Sequence, residues 1–171
     1  MDTASFQKPA AALLERCRKF GIKIVTAESC TGGMIAAAFT DIAGSSDVFE
    51  RGFVTYSNEA KAEMLGVESD LIESRGAVSE AVARAMVEGA IANSRANLGI
   101  AVTGVAGPGG GTTEKPVGLV HLAAGLEGQP ILHREIRLGD LSRQEIRHET
   151  VMVAFSLLNE ILDQADGVSI P

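Results

Sequence analysis

The sequence has no tryptophan and one tyrosine, so aromatics make up only 4% of its 171 residues. A protein that holds single-stranded nucleic acid without regard to sequence stacks bases on aromatic platforms, and this chain offers few. Positive charge is also short: 15 Lys and Arg stand against 22 Asp and Glu, for a net charge of -7. That balance repels a phosphate backbone and argues against a nucleic-acid partner, while leaving room for a local basic pocket. Two cysteines, Cys17 and Cys30, are too few for a disulfide framework. They read as reduced thiols of a cytoplasmic protein. No basic segment followed by an apolar run opens the chain, so no signal peptide is expected. No apolar run is long enough to span a bilayer, so no membrane partner is expected either.

Several catalytic signatures are missing as well. No Gly-Lys-Ser/Thr closes the glycine-rich segment, which is therefore not a P-loop, and it does not match the dinucleotide fingerprint. There is no Gly-x-Ser-x-Gly elbow. His121, His133 and His148 are scattered and the cysteines add no ligand spacing, so neither a metal nor a cofactor is expected. A Ser-His-Asp triad stays open on sequence alone. Internal repeats, linkers and low-complexity segments are absent.

What is present is ordinary globular composition, 46% hydrophobic and 22% charged, in a length that suits one domain. The expected core runs from about residue 8 to 163, with frayed tails at 1–7 and 165–171. Helical spacing of Leu13, Leu14, Cys17 and Phe20 before Gly21 predicts a helix over about 8–20. Ile22 to Ala27 reads as a buried strand, and an Ala-rich helix from Met34 to about Ile42 follows. Phe53 to Tyr56 reads as a second strand. Ser57 can cap a helix ending at Gly66, Ser69 to Ser74 is a short helical piece, and Ser79 can cap a helix to about Asn93. Leu98 to Thr103 is an apolar strand. Val117 to Ala124 and Ile131 to Leu138 form a hairpin around Gly125 to Gly128. Ser142 with Glu145 is a capping box that opens a last helix to about Asp163. This order implies a single three-layer α/β/α domain with a mixed parallel and antiparallel sheet.

Two loops leave the C-terminal ends of buried strands, the edge where open α/β sheets bind ligands. The first is Glu28-Ser29-Cys30-Thr31-Gly32-Gly33. A hydroxyl at such a turn lies near free N–H groups of the next helix, which favour developing negative charge. Ser29, Cys30 and Thr31 are nucleophiles by type. Spacing alone nevertheless favours an N-cap role for Ser29 or Thr31, and a small buried hydrophobe for Cys30. The second loop, Gly104 to Pro116, carries Gly104, Gly107, Gly109, Gly110 and Gly111, whose exposed N–H groups can form an anion nest. Five glycines exceed what a connector needs, so this loop reads as ligand-binding.

Lys61 precedes Met64 and Leu65 by three and four residues, so it shares a helix face with apolar side chains. Desolvation there lowers its pKa. An unperturbed lysine, at about 10.4, is neutral in only about one molecule in a few thousand at pH 7. Spacing alone therefore favours a snorkelling lysine over a general base. Arg134, Arg137, Arg143 and Arg147 gather basic charge near the last strand and helix. They can meet a phosphate or pair with Glu135, Asp140, Glu145 or Glu149.

Five segments, taken together, resemble a known family. They are Ala27 to Gly33, Tyr56 to Lys61, Gly76 to Ser79, Thr103 to Gly110 and Lys115 to Gly118. In this order they are similar to the C-terminal domain of the competence/damage-inducible protein CinA, which is also the stand-alone nicotinamide-nucleotide amidase family. The resemblance implies hydrolysis of the carboxamide of nicotinamide mononucleotide to nicotinate mononucleotide and ammonia, in pyridine nucleotide recycling. It implies a metal-independent Ser/Lys mechanism with Ser29 as nucleophile and Lys61 as base, assisted by Tyr56 and Thr103. Cys30, Thr31, Gly32, Gly33, Gly104, Gly107, Gly109 and Gly110 are then the substrate-binding backbone, with Arg143 as the arginine near the last helix. The resemblance thus reverses the odds that spacing alone set for Ser29 and Lys61. A molybdopterin-binding-like half found in longer members is missing, so pyrophosphatase activity attributed to that half is expected to be absent. The competing reading is a non-catalytic nucleotide-binding or regulatory module linked to competence or DNA damage. A homo-oligomer is expected, as for most small metabolic enzymes.

Overall fold

The computed structural model describes residues 4–166. The chain runs α1 (Ala4–Phe20), β1 (Ile24–Glu28), α2 (Met34–Thr40), β2 (Phe49–Val54), α3 (Asn58–Leu65), α4 (Ser69–Arg75), α5 (Glu80–Ala92), β3 (Leu98–Gly104), β4 (Leu119–Leu126), β5 (Leu132–Arg137) and α6 (Arg143–Asp166). The strands form one sheet in the order β2-β1-β3-β4-β5. Strand β1 is parallel to both neighbours, while β3, β4 and β5 are antiparallel in sequence. Helices α1, α2 and α6 cover one face, and α3, α4 and α5 the other. This is the three-layer α/β/α domain with a mixed sheet that the sequence predicts.

Period-two alternation assigns each side chain to a layer. In β3, Leu98, Ile100 and Val102 join the core under α1, α2 and α6, while Ala101 faces α5. Gly99 and Gly125 are register partners beneath α5. A Cβ at Gly99 would lie 2.9 Å from Val87 Cγ2, and one at Gly125 3.0 Å from Ile91 Cδ1. The missing side chains let α5 sit close on the sheet.

Most boundaries fall within two residues of the sequence reading, and four differences have a physical reason. Strand β2 is Phe49–Val54, not 53–56, so Tyr56 lies beyond it. As an edge strand it is partly solvated and carries Glu50 and Arg51, which hide it from an apolar-run reading. Helix α1 starts at Ala4, ahead of Pro9, so residues 4–7 are helical rather than frayed. Phe6 is buried against Phe155 and stacks on His148. That burial contributes about 1.5–3 kcal/mol, comparable to the about 3 kcal/mol that a proline inside a helix costs. Gly125 and Leu126 belong to β4 instead of the turn: the pairing with β3 runs on through Gly125 and Leu126, and the glycine there makes room for Val87 and Ile91 of α5. Helix α6 continues to Asp166, with Ala165 buried. The remaining expected tail residues, 1–3 and 167–171, lie outside the described residues.

Candidate functional site

Strands β1 and β3 end side by side, and the loops after them meet. Val25 and Ala27 pack in the α5-side core, while Thr26 and Glu28 alternate to the opposite face. Ser29 follows at once. Its N–H donates to Val102 O at 3.0 Å, which extends the β1–β3 pairing by one residue and pins the turn. Helix α3 supplies the facing group. Ser57 caps it by accepting from Ala60 N, and Gly66 ends it in the left-handed conformation, as the sequence predicts. Lys61 sits at mid-helix with only 1% of its surface exposed.

Lys61 Nζ lies 3.0 Å from Ser29 Oγ and donates to Thr55 O at 2.9 Å. Among the described residues no carboxylate contacts this nitrogen. Burial pushes the Lys61 pKa below its ordinary value. A neutral amine that donates to the Thr55 carbonyl keeps its lone pair for the Ser29 hydroxyl proton. The arrangement can therefore activate an alcohol without a histidine. The expected companion Leu65 is buried in the core with α4 and α5, whereas Met64 is 41% exposed.

Glu28 is the residue that sequence reasoning missed. It is fully buried, and its carboxylate accepts from Gly33 N at 3.1 Å, Ile35 N at 3.1 Å and Ala36 N at 2.9 Å. It takes the place of the N-cap proposed for Ser29 or Thr31. The cap position is Gly33, with φ +97° and no side chain to offer. A pair of glycines at a helix start, preceded by a carboxylate at the end of a buried strand, was the available signal. The oxyanion expectation narrows as a result. Gly33 N is occupied by Glu28, and Gly32 N donates to Ser29 O. Of the turn after Ser29 only Cys30 lines the cleft over the Ser29–Lys61 pair, so its N–H is the one that remains for a ligand.

A cleft of about 300 Å³ opens on this pair. It gathers Ser29, Cys30, Tyr56, Lys61, Thr103, Gly104, Gly107, Gly109, Gly110 and Arg143, all candidates from the sequence, and adds Asn58, Ala77 and Val78. Thr31, Gly32 and Gly33 do not line it. Thr31 and Gly32 sit beside Arg147 of α6, which donates to Thr31 O at 2.9 Å, and Gly33 lies beside Val54 at the end of β2. Burial pushes the Cys30 thiol up to about 12, which removes it as a nucleophile at neutral pH. Thr103 donates its hydroxyl to Ala77 O at 2.8 Å. Tyr56 stands at the rim, where its hydroxyl accepts from Arg143 at 2.9 Å.

The basic patch divides. Arg134 pairs with Glu160 and Arg137 with Glu135. Arg143 and Arg147 have no carboxylate partner among the described residues. Arg143 instead donates to Gly107 O at 2.6 Å and so ties α6 to the glycine-rich loop. His121 and His133 do meet across the hairpin, Nδ1 to Nε2 at 3.0 Å, but outside this cleft. Among the described residues no three His, Cys, Asp or Glu side chains cluster as a metal ion requires. No helix there is long and apolar enough to cross a membrane.

Comparison with known proteins places this geometry in a family. Residues 6–162 match the CinA C-terminal domain. Nicotinamide-nucleotide amidohydrolase PncC of Escherichia coli is 50% identical over 139 residues, covering 81% of this chain and 83% of that protein. A putative competence-damage inducible protein of Acetivibrio thermocellus is 50% identical over 147 residues, and the chain spans only 35% of its length. The crystal structure of competence/damage inducible protein CihA from Agrobacterium tumefaciens superposes with a TM-score of 0.89 at 51% identity, covering 91% of this chain and 94% of that one. The chain is a member of the CinA C-terminal domain family.

Proposed function

We propose that this chain hydrolyses the carboxamide of nicotinamide mononucleotide, with Ser29 as nucleophile and Lys61 as base. The observation that carries the reading is the 3.0 Å contact between Ser29 Oγ and a buried Lys61 Nζ that has no carboxylate partner among the described residues. The E. coli relative named for this activity supports the choice of substrate.

Neutral Lys61 takes the Ser29 proton as Oγ attacks the carboxamide carbon. The carbonyl oxygen becomes an oxyanion, held by the N–H of Cys30, the residue after the nucleophile that lines the cleft. Collapse breaks the C–N bond, and the Lys61 ammonium returns its proton to the departing nitrogen, which leaves as ammonia. Lys61, neutral again, then deprotonates a water that cleaves the acyl-enzyme, releasing nicotinate mononucleotide and free Ser29. Arg143 and the glycine-rich loop grip the 5′-phosphate, and that remote binding orients the amide. Tyr56 assists through Arg143, which its hydroxyl touches, at the mouth of the cleft.

The test is ammonia release from nicotinamide mononucleotide by the parent and by Ser29→Ala. The parent should turn over, and Ser29→Ala should lose at least about a thousandfold in kcat while keeping its melting temperature. Parental turnover by the variant refutes the mechanism. Binding by the parent without ammonia release marks a nucleotide-binding module instead.

A further inference from the structure

Two segments that the mechanism leaves unused, Gly76 to Ser79 and Lys115 to Gly118, meet in space. Three successive carbonyls, from the last residue of α4 onward, each accept a hydrogen bond from a different side chain. Arg75 O accepts from Lys115 Nζ at 2.7 Å, Gly76 O from Ser79 Oγ at 2.8 Å, and Ala77 O from Thr103 Oγ1 at 2.8 Å. A surface segment seldom has every carbonyl held this way, since water ordinarily serves such groups. Ala77 and Val78, which this arrangement holds, line the cleft with Ser29 and Lys61.

Lys115 reaches its carbonyl through space that only glycine leaves open. A Cβ at Gly76 would lie 2.2 Å from Lys115 Nζ, and the residue also has φ +79°. Lys115 itself lies outside the cleft, at the far end of the loop whose Gly107, Gly109 and Gly110 line it. That loop end is closed on itself: Lys115 N donates to Thr112 Oγ1 at 3.0 Å and Thr112 N to Lys115 O at 2.9 Å. No carboxylate pairs with the Lys115 ammonium among the described residues. Its bond therefore joins two separate walls of the cleft, the glycine-rich loop and the 76–78 segment.

We propose that Lys115 is a positioning residue for substrate binding, acting through the Arg75 carbonyl to fix those two walls relative to each other. Thr103 belongs to the same device: its hydroxyl proton is committed to Ala77 O, so it holds the wall and relays no proton. The inference rests on the amidohydrolase reading of this cleft. No atom of residues 75–78 is hydrogen-bonded to Ser29 or Lys61, so the loss expected is one of binding rather than of chemistry.

The test is Lys115→Met in the full chain, read by steady-state ammonia release and by hydrogen–deuterium exchange of the 76–79 amides. KM for nicotinamide mononucleotide should rise about tenfold, the weight of one hydrogen bond from a charged donor, with kcat within about twofold. Exchange over 76–79 should accelerate. Lys115→Arg, which keeps an N–H donor for the Arg75 carbonyl, should bring KM back to within about threefold of the parent. If the Met variant melts below the assay temperature, Lys115→Gln, too short to reach that carbonyl, carries the same expectations. An unchanged KM overturns the proposal, whatever the exchange does. So does a fall in kcat as large as the fall in kcat/KM. A parent that releases no ammonia sinks the amidohydrolase reading instead; in that case faster exchange in the variant upholds the wall and unchanged exchange overturns it.

Discussion

Glu28→Gln removes one charge and almost no volume, so it isolates what the buried carboxylate does. In the parent, Oε2 accepts from two N–H groups, Gly33 and Ile35, and Oε1 from Ala36. A glutamine keeps one acceptor oxygen. Placed at the Oε2 position it retains two bonds, and its NH2 then faces Ala36 N–H, donor against donor. One hydrogen bond to a charged group, worth about 1.5–3 kcal/mol, is lost and a buried donor is left without a partner. The positive end of α2 also loses its anion, up to about 2 kcal/mol in a buried setting. A lower desolvation cost for the neutral amide offsets part of this. The net expectation is a loss of about 2–4 kcal/mol. For a domain of this length that lowers the melting temperature by about 5–15 °C. Differential scanning calorimetry of parent and variant at pH 7.5 measures it. A variant that melts within about one degree of the parent refutes the capping argument.

Two further expectations follow from the cleft. Arg143→Ala should raise KM for nicotinamide mononucleotide by about 10- to 100-fold through loss of charge-assisted bonds to the phosphate. It should barely alter the weak hydrolysis of nicotinamide riboside, which has no phosphate, so equal losses on both substrates refute the phosphate role. Lys61→Met should change stability in a pH-dependent way. The folded-state pKa of Lys61 is depressed by burial. Between that lowered value and the unfolded value of about 10.4 the unfolded chain binds the extra proton, so parental stability rises with pH across the window. Methionine has no proton to lose. The melting temperature of Lys61→Met relative to the parent should therefore be most favourable near pH 7 and fall toward pH 10. A difference that stays constant from pH 7 to 10 speaks against a depressed lysine.

The layered fold was legible because β1, β3 and β4 are buried on both faces and so read as apolar runs. Caps with a local signature were legible for the same kind of reason: Ser57, Ser79 and the Ser142–Glu145 pair each bond within three residues. Strand β2 was misplaced because an edge strand answers to solvent as well as to the core. Lys61 was ambiguous because its spacing shows a half-apolar helix face, whereas the depth of its burial depends on how α3 packs against α4 and α5 and brings Nζ to Ser29 and Thr55. Glu28 went unread because its partners lie five to eight residues ahead, across a turn whose shape no local periodicity reports. The Lys115 contact was beyond sequence altogether, since 40 residues separate it from Arg75.

The alternation of β1 explains why one turn can be both anchored and reactive. A strand that ends in two consecutive polar residues between two helix layers must send one to each layer. Glu28 goes to the α2 layer and finds N–H groups there; Ser29 emerges on the other side and finds Lys61 on α3. The parity also keeps charges apart. A carboxylate on the Lys61 side would pair with the amine, raise its pKa and leave it protonated at neutral pH. With Glu28 turned away and Nζ facing the Thr55 carbonyl and the Ser29 hydroxyl, burial is the dominant influence on the lysine, outweighing the opposing interaction with Cys30, and burial favours the neutral form. The anchoring of the nucleophile turn and the basicity of the amine thus share one cause, the two-residue period of a buried strand.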